Sequence, residues 1–516
     1  HKWHDEAFFM TTDYPQPESA KVNRRSYLKA TAALTLTTAL PQIKSLAESG
    51  PFAGLDATAQ ADLVRTKAVS PLELIDAAIE RIGLLNQRLN AVVTPSFDAA
   101  REIAKRGGID GPFRGVPYLV KDLLDQKGVR TSPGSKLFAN HIANSNASNV
   151  QAAFDAGLIS LGKSNTPEFG LLPSTESIFL GPARNPWNLN YSTAGSSGGA
   201  GAAVASGMVP IASASDGGGS IRVPASSCGV VGLKTSRYRT IDDAGQRERP
   251  IDLSVRFVHT RTVRDTVTAL SVMQHKDGSN GLPWVPANLS PIRRKLKIGL
   301  ATKTNLGKEA SPDVKASTEL AAKFCEDLGH TIVPVDPMID GELFVDAFLT
   351  IWALGAKGLT QLAAQISNGK SAKETGLLEP WTIGLADWFD ARPVDQVENA
   401  LRILQTDTAK SAAFFEDYDM LLTPVTRTPP PRIGIMAPDV PFETLLERAV
   451  DFVGYTPLAN VTGEPAISLP LGWSANGLPI GSQFQTGLGK EQDLLELALA
   501  LEESQPWADR WPRQSL

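Results

Sequence analysis

The sequence predicts an α/β fold, and three observations carry that prediction. Residues 295–300, 314–328 and 331–335 read in succession as strand, helix and strand, the unit that builds sheets flanked by helices. A helix over 150–156 runs into the apolar strand 158–163 in the same manner. Hydrophobic residues make up 42% of the 516 and charged ones 20%, enough apolar material for a large core. That length could hold three domains, although large α/β enzymes often form one.

In chain order, the first segment reads as an address. Asn23-Arg24-Arg25-Ser26-Tyr27-Leu28-Lys29 resembles the twin-arginine export motif, and a mildly apolar Ala/Thr/Leu run follows over 30–40. Ser45-Leu46-Ala47 offers small residues at the spacing of a signal-peptidase site. The apolar run is too short to span a bilayer. Met10 reads as the natural start, with residues 1–9 upstream of it. The expectation is a signal segment over 1–48 and a folded domain over 49–516, exported to a bacterial periplasm, or cytoplasmic if the signal does not function. The competing reading is an amphipathic first helix with a chance Arg-Arg pair.

Ser70-Pro71-Leu72-Glu73 has the form of a capped helix start, with proline at the first helical position and glutamate three after the serine. Ile75, Ala78, Ile79 and Ile82 then share one helix face, and a short strand is expected at 90–94. Gly115-Val116-Pro117-Tyr118-Leu119-Val120-Lys121-Asp122 is an apolar strand ending at a Lys-Asp pair. An irregular loop follows over 131–149. After the strand at 158–163 comes Asn165-Thr166-Pro167-Glu168-Phe169-Gly170, where Lys163 and Glu168 are read as braces of a loop rather than an acid–base pair.

The densest chemistry lies between Ser192 and Arg239. Gly195-Ser196-Ser197-Gly198-Gly199 and Asp216-Gly217-Gly218-Gly219-Ser220-Ile221-Arg222 flank a run of small residues. Glycine removes side chains and frees the backbone, so Ser220 sits where backbone N–H groups can crowd a small polar atom. A nucleophile beside an oxyanion hole needs such a place. A flexible linker would not carry the apolar blocks Val209-Pro210-Ile211 and Val230-Val231-Gly232-Leu233, and neither GxxxxGK[ST] nor GxGxxG is present to cradle phosphate.

Downstream, residues 277–290 are rich in Gly, Pro and Asn and are expected to mark a boundary between subregions. Residues 341–415 read as mostly helical, and for each of Trp352, Trp381 and Trp388 core packing is the simpler reading. Net charge is −5, which argues against a nucleic-acid partner. Two cysteines, Cys228 and Cys325, make no disulfide framework and no zinc site. The six histidines fall in no HExxH or Gly-x-Ser-x-Gly context, so metal catalysis and a Ser-His-Asp triad are both poorly supported. His141 reads as a polar loop residue or at most a pocket wall.

The segments AGSSGG and SASDGGGSIRVPASSCGVVGLKTS closely resemble the signature of the amidase signature family of serine hydrolases. Residues 115–122 resemble its GxPxxxKD pattern, 162–169 its GKTNxxEF segment, and 418–424, 460–466 and 477–483 its closing segments. The resemblance spans about residues 55–511. It implies a single large α/β domain, a twisted mixed β-sheet flanked by helices on both faces. It also implies roles: Ser220 the nucleophile, Ser196 a bridging serine on a cis peptide, and Lys121 the closing base. The backbone N–H groups of Gly217, Gly218, Gly219 and Ser220 would hold an oxyanion, and Asp216 and Arg222 would fix the loop through hydrogen bonds. Only a neutral lysine can accept a proton, so desolvation must lower Lys121 from its ordinary value near ~10.4.

The implied activity is hydrolysis of a carboxylic amide through a serine acyl-enzyme. No cofactor, metal, nucleic acid or stable membrane insertion is called for, and the chain is expected as a monomer or homodimer. Ala194, Ala214, Ser215 and Thr235-Ser236 depart from the family pattern without removing a catalytic atom. Substrates implied by the family include aliphatic and aryl amides, peptide amides, amide oligomers and carbamates, the C-terminal half being most like hydrolases of cyclic amide dimers. Two rivals stand beside this reading: a glutaminase subunit of a tRNA-dependent amidotransferase, and a catalytically silent binding protein on the same fold.

Overall fold

The computed structural model describes residues 50–241, 247, 249, 251–276 and 281–512. The expected signal segment, with its arginine pair and cleavage site, lies outside the described residues. The first long helix, Pro71–Leu89, opens on a capping box between Ser70 and Glu73 and closes on Asn90 in the left-handed conformation. That turn delays the expected strand at 90–94 to Val92–Pro95.

Eleven strands form one mixed sheet: β1 (Val92–Pro95), β2 (Pro117–Lys121), β3 (Ile159–Ser164), β4 (Ile211–Asp216), β5 (Val231–Lys234), β6 (Val255–Thr260), β7 (Lys297–Leu300), β8 (Thr331–Pro334), β9 (Met420–Pro424), β10 (Ala466–Trp473) and β11 (Pro479–Gln485). Their spatial order is β1-β3-β2-β4-β6-β5-β10-β11-β9-β7-β8. Strand β2 runs parallel to both β3 and β4, whereas β6 is antiparallel to its neighbours. With Leu119 opposite Ala212, β2 and β4 deliver Lys121 and Asp216 to the same sheet edge. Open α/β sheets place their ligands at such carboxyl ends.

Side-chain alternation explains why both faces are covered. Tyr118 and Val120 join a core with Val150, Val263, Val267 and Leu270, from the helices Ser148–Asp155 and Val263–Met273. Leu119, between them, points the other way into a cluster with Ile75, Ala78, Ala200 and Ala203 of the helices Pro71–Leu89 and Gly198–Ala205. A strand buried on both faces reads as an unbroken apolar run, as this one does.

The stretch at 277–290 does not mark a boundary. Strands β7 and β8 complete the same sheet, and Leu296 and Ile298 share one core with Phe257 and Leu270. The described part of the stretch, 281–290, lies mostly exposed, and the core beneath it is continuous.

Over the sheet edge carrying Lys121 and Asp216 lies a helical layer, Gly341–Ile366, Pro380–Asp390, Gln396–Asp417 and Phe442–Phe452. Its apolar cluster includes Ala194 and Val223 of the signature stretch. Gly341–Ile366 is long and apolar enough to cross a membrane, but it directs Phe344, Ala347, Phe348, Ala353 and Ala356 into the protein.

The helix Gly198–Ala205 packs so close to its neighbours that a Cβ on Gly199 would lie 2.3 Å from the amide nitrogen of Asn165. Gly199→Ala is expected to destabilise the protein by about 1–3 kcal/mol, the usual range for overpacking. Thermal unfolding measures it; an unchanged midpoint would mean that the helix can shift freely.

Candidate active site

Lys121 ends β2 fully buried, and its position follows from the strand: an apolar run carries the ammonium stem into the interior. Its Nζ lies 2.7 Å from Ser196 Oγ, 2.8 Å from Ser197 Oγ and 3.0 Å from Ser215 Oγ. Burial pulls the lysine down to about 7, with the nearby Asp216 charge pulling the other way. Ser196 follows the Gly195–Ser196 cis peptide. Ser197 N–H donates to Ser220 O at 3.3 Å, which ties the two serine clusters together.

Between Asp216 and Arg222 the chain wraps around a carboxylate. Asp216 accepts from the N–H groups of Gly219 (2.7 Å) and Ile221 (3.1 Å), and from Arg222 Nε and a terminal guanidinium nitrogen, both at 2.9 Å. Asn460 Nδ2 donates to the same carboxylate at 2.9 Å; the Arg222 terminal nitrogen on Asp216 also reaches Asn460 Oδ1, and the other terminal nitrogen reaches Gln483 Oε1 and Thr456 O. Burial would raise Asp216, but the guanidinium outweighs it and holds the carboxyl far below the usual carboxylate range. The loop therefore has one shape, with Thr456 Oγ1 donating to Gly218 O at 2.7 Å as a second tether.

This wrapping corrects one expectation. The N–H of Gly219 is occupied by Asp216, so it cannot also meet an oxyanion. Among the described residues the N–H groups of Gly217, Gly218 and Ser220 make no such bond.

Ser220 is 9% exposed and opens onto a cavity that is partly open to solvent. The helix Gly341–Ile366 presents Phe344, Phe348 and Trp352 at successive turns, with the last two stacked at 5.5 Å and 23°. A Cβ on Gly217 or Gly218 would come within 3.0 Å of the Trp352 or Phe348 ring, so the glycines let the aromatic wall rest on the loop. Leu171, Leu172, Trp381, Leu446 and Val450 continue the lining, and none of the lining residues is charged.

Other predicted residues fall elsewhere. Trp352 and Trp381 pack with the apolar cluster of the helical layer, as the core-packing reading has it, and in addition line this cavity, because the layer turns one face toward Ser220. Trp388 stacks under Arg392 at 3.6 Å. His141 packs against Phe138 in a loop, 3.7 Å from Asp125. Lys163 bonds Thr131 and Leu124 O, whereas Glu168 accepts from Ser135 and Thr382, so the two make no pair. Sequence reasoning missed Ser197 and Ser215 as lysine partners, and Asn460, Gln483 and Thr456 as tethers. The polar step Ser213-Ala214-Ser215 before Asp216 is the signal that could have found Ser215.

The Amidase family model matches residues 73–495. Over 455 residues the chain is 39% identical to AmiC of Mycobacterium tuberculosis, a protein named as an amidase, with 88% of this chain and 95% of that one aligned. It is 35% identical over 490 residues to the 6-aminohexanoate-cyclic-dimer hydrolase of Pseudomonas sp. strain NK87, covering 89% of this chain and 96% of the relative. A solved 6-aminohexanoate cyclic dimer hydrolase complexed with substrate superposes at a TM-score of 0.82 and 32% identity, over 89% of this chain and 99% of that one. A solved glutamyl-tRNA(Gln) amidotransferase component from Thermotoga maritima is more distant, with a TM-score of 0.71 and 26% identity over 90% and 98% of the two chains.

Arg222→Met would leave Asp216 buried without its cation, and breaking a buried pair this way costs about 3–5 kcal/mol. Adding Asp216→Asn should return part of that loss. Urea unfolding of the single and double variants checks both statements, and equal stabilities would mean that the ion pair does not hold the loop.

Proposed function

The chain belongs to the amidase signature family of amide hydrolases, and from that premise we propose that Ser220, Ser196 and Lys121 are its nucleophile, proton relay and base. The observation that carries this reading is the buried Lys121 held among three hydroxyls. A neutral lysine has two N–H bonds and one lone pair. Ser197 donates its own hydroxyl proton to Ser215 O at 3.2 Å, so toward Lys121 its oxygen accepts. Ser197 and Ser215 thus take the two N–H bonds, and the lone pair faces the Ser196 hydroxyl.

The steps follow from that arrangement. Ser220 Oγ attacks the amide carbonyl and passes its proton to Ser196, which passes its own to Lys121. The oxyanion meets the N–H groups of Gly217, Gly218 and Ser220, each such donor being worth about 3 kcal/mol in the transition state. On collapse the C–N bond breaks, Ser196 gives its proton to the departing nitrogen, and Lys121 restores it. Water then repeats the relay on the ester and frees Ser220.

The substrate is a neutral amide carrying a bulky apolar group, aliphatic or aryl. The uncharged cavity lining supports this, and so does the likeness to hydrolases of 6-aminohexanoate cyclic dimer. Free glutamine has charges on both its α-groups, and no lining side chain would pair them. The glutaminase reading is correspondingly weaker. A silent binding protein would have no use for a buried lysine beside three hydroxyls, since burying it costs stability.

Ser220→Ala is expected to abolish turnover and fluorophosphonate labelling while leaving the fold intact. A variant with a substantial fraction of the wild-type rate would overturn the nucleophile. Because the base must be neutral, kcat/KM rises with pH through about 7 and then levels, following Lys121. A profile that falls over that range would sink the lysine's role. The enzyme works after twin-arginine export: Arg24→Lys with Arg25→Lys should retain active precursor in the cytoplasm of the native host. Unprocessed wild-type protein confined to the cytosol would remove this part of the proposal.

A further inference from the structure

Behind the cavity wall is a carboxylate that the relay does not use. Glu168 is 3% exposed and begins the turn Glu168–Gly170, directly behind the site. Ser135 Oγ donates to its Oε1 at 2.6 Å. Its Oε2 accepts from Glu379 N–H at 2.8 Å, across 211 residues, and from Thr382 Oγ1 at 2.5 Å. Both donors stand at the start of the helix Pro380–Asp390, whose own N-cap residue, Glu379, makes no side-chain cap. The helix therefore takes its N-terminal carboxylate from a distant turn, where the helix dipole favours a negative charge.

The same turn meets the site on its other side. A Cβ on Gly170 would lie 3.1 Å from Ser196 Oγ, so the backbone there rests against the relay serine. One residue on, Leu171 O accepts two indole N–H groups, from Trp381 at 3.1 Å and from Trp352 at 3.2 Å. Both indoles line the cavity beside Ser220. Trp381 is the second residue of the helix that Glu168 caps, and it packs on Phe442 at 5.3 Å. Four consecutive residues thus fix the helix start, the relay serine's neighbour and two walls of the cavity.

We propose that Glu168 is a positioning residue for substrate selection: by capping the helix Pro380–Asp390 it holds Trp381, and with it the Leu171–Trp352 contact, in the shape that accepts a bulky apolar substituent. A small amide occupies the space beside Ser220 without touching this wall, so the clamp sets affinity for large substrates and leaves the chemistry alone. The inference rests on the assignment of the cavity to substrate.

The test is steady-state kinetics with hexananilide and propionamide. Glu168→Gln keeps the shape but replaces one acceptor oxygen with an amide nitrogen facing donors. KM for hexananilide should rise about tenfold, the scale of discrimination an apolar pocket achieves. Its kcat, and both constants for propionamide, should stay within about twofold. Thr382→Val removes one donor and should show the same split at smaller size, which covers the case in which Glu168→Gln folds poorly. Trp381→Ala should itself raise KM for hexananilide, and combining it with Glu168→Gln should add little further to that KM, because the two act through one contact. Additive losses, or equal loss on both substrates, would overturn the clamp. Hexananilide affinity on a Ser220→Ala background keeps the two ideas separate. Weaker binding in the clamp variants supports the clamp whether or not the amide is cleaved, and unchanged binding overturns it. Failure of the wild type to cleave any amide counts against the functional reading.

Discussion

The site depends on a buried ion pair. Asp216 and Arg222 are both fully buried, 2.9 Å apart, and neither would be stable there alone. Desolvating two charges costs several kcal/mol per ion, recovered only where geometry is good and the remaining donors and acceptors are satisfied. Here they are: two loop N–H groups and Asn460 complete the carboxylate, and Asn460, Gln483 and Thr456 complete the guanidinium. A hydrophobic substitute of equal volume could fill the space, but it could not dictate the direction of every N–H group in a four-residue glycine loop. The pair also matters electrically. Asp216 acts on Lys121 to favour its charged form, so the guanidinium that offsets that carboxylate helps to leave the lysine a usable base.

Burial by itself does not select the base. Among the described residues desolvation lowers three lysines: Lys121 to about 7, Lys163 to about 8 and Lys234 to about 7. Lys234 donates to Thr235 O, a carbonyl with no proton to give. Lys163 faces the carbonyl of Leu124, Thr131 and the carboxylate of Asp122 at 3.9 Å. Lys121 alone of the three meets a hydroxyl in the serine cluster tied to Ser220. Function follows from what surrounds the lone pair, and a perturbed titration is shared by structural lysines as well.

The sequence announced the parts of this site that are local. The glycine loop, the serine pair and the Lys-Asp strand end each have a short-range reason to look as they do, and strand 117–121 was readable because both of its faces are buried. The capped start at Ser70 was legible for the same reason. The tethers were not: Asn460 lies 244 residues from Asp216 and Gln483 lies 261 from Arg222. Nothing in the spacing of a lone Asn or Gln signals a partner so far along the chain. For Trp352 and Trp381 the core packing was legible and the added wall role was not: helical periodicity speaks equally for a core and for a cavity wall, and only the packing of the layer onto the sheet edge makes them both. The Gly/Pro/Asn-rich stretch at 277–290 misled because turn chemistry reports a surface loop, not a break in the core beneath.

Chemistry and selection consequently come from different parts of the chain. The groups proposed to react stand at the ends of β2 and β4 and at the start of the helix Gly198–Ala205, elements fixed by the central sheet. Much of the cavity wall comes from the helical layer after residue 341, which owes the sheet no register. Such a layer can change its side chains without disturbing a hydrogen bond of the loop, because its contact with Gly217 and Gly218 is through apolar ring edges. The polar joint is the turn from Glu168 to Leu171, where a carboxylate and a carbonyl of the sheet region meet two helices of the layer. A fold built this way can keep one hydrolytic apparatus while the wall facing it varies, and the joint is where the turn beside the serine pair meets that wall.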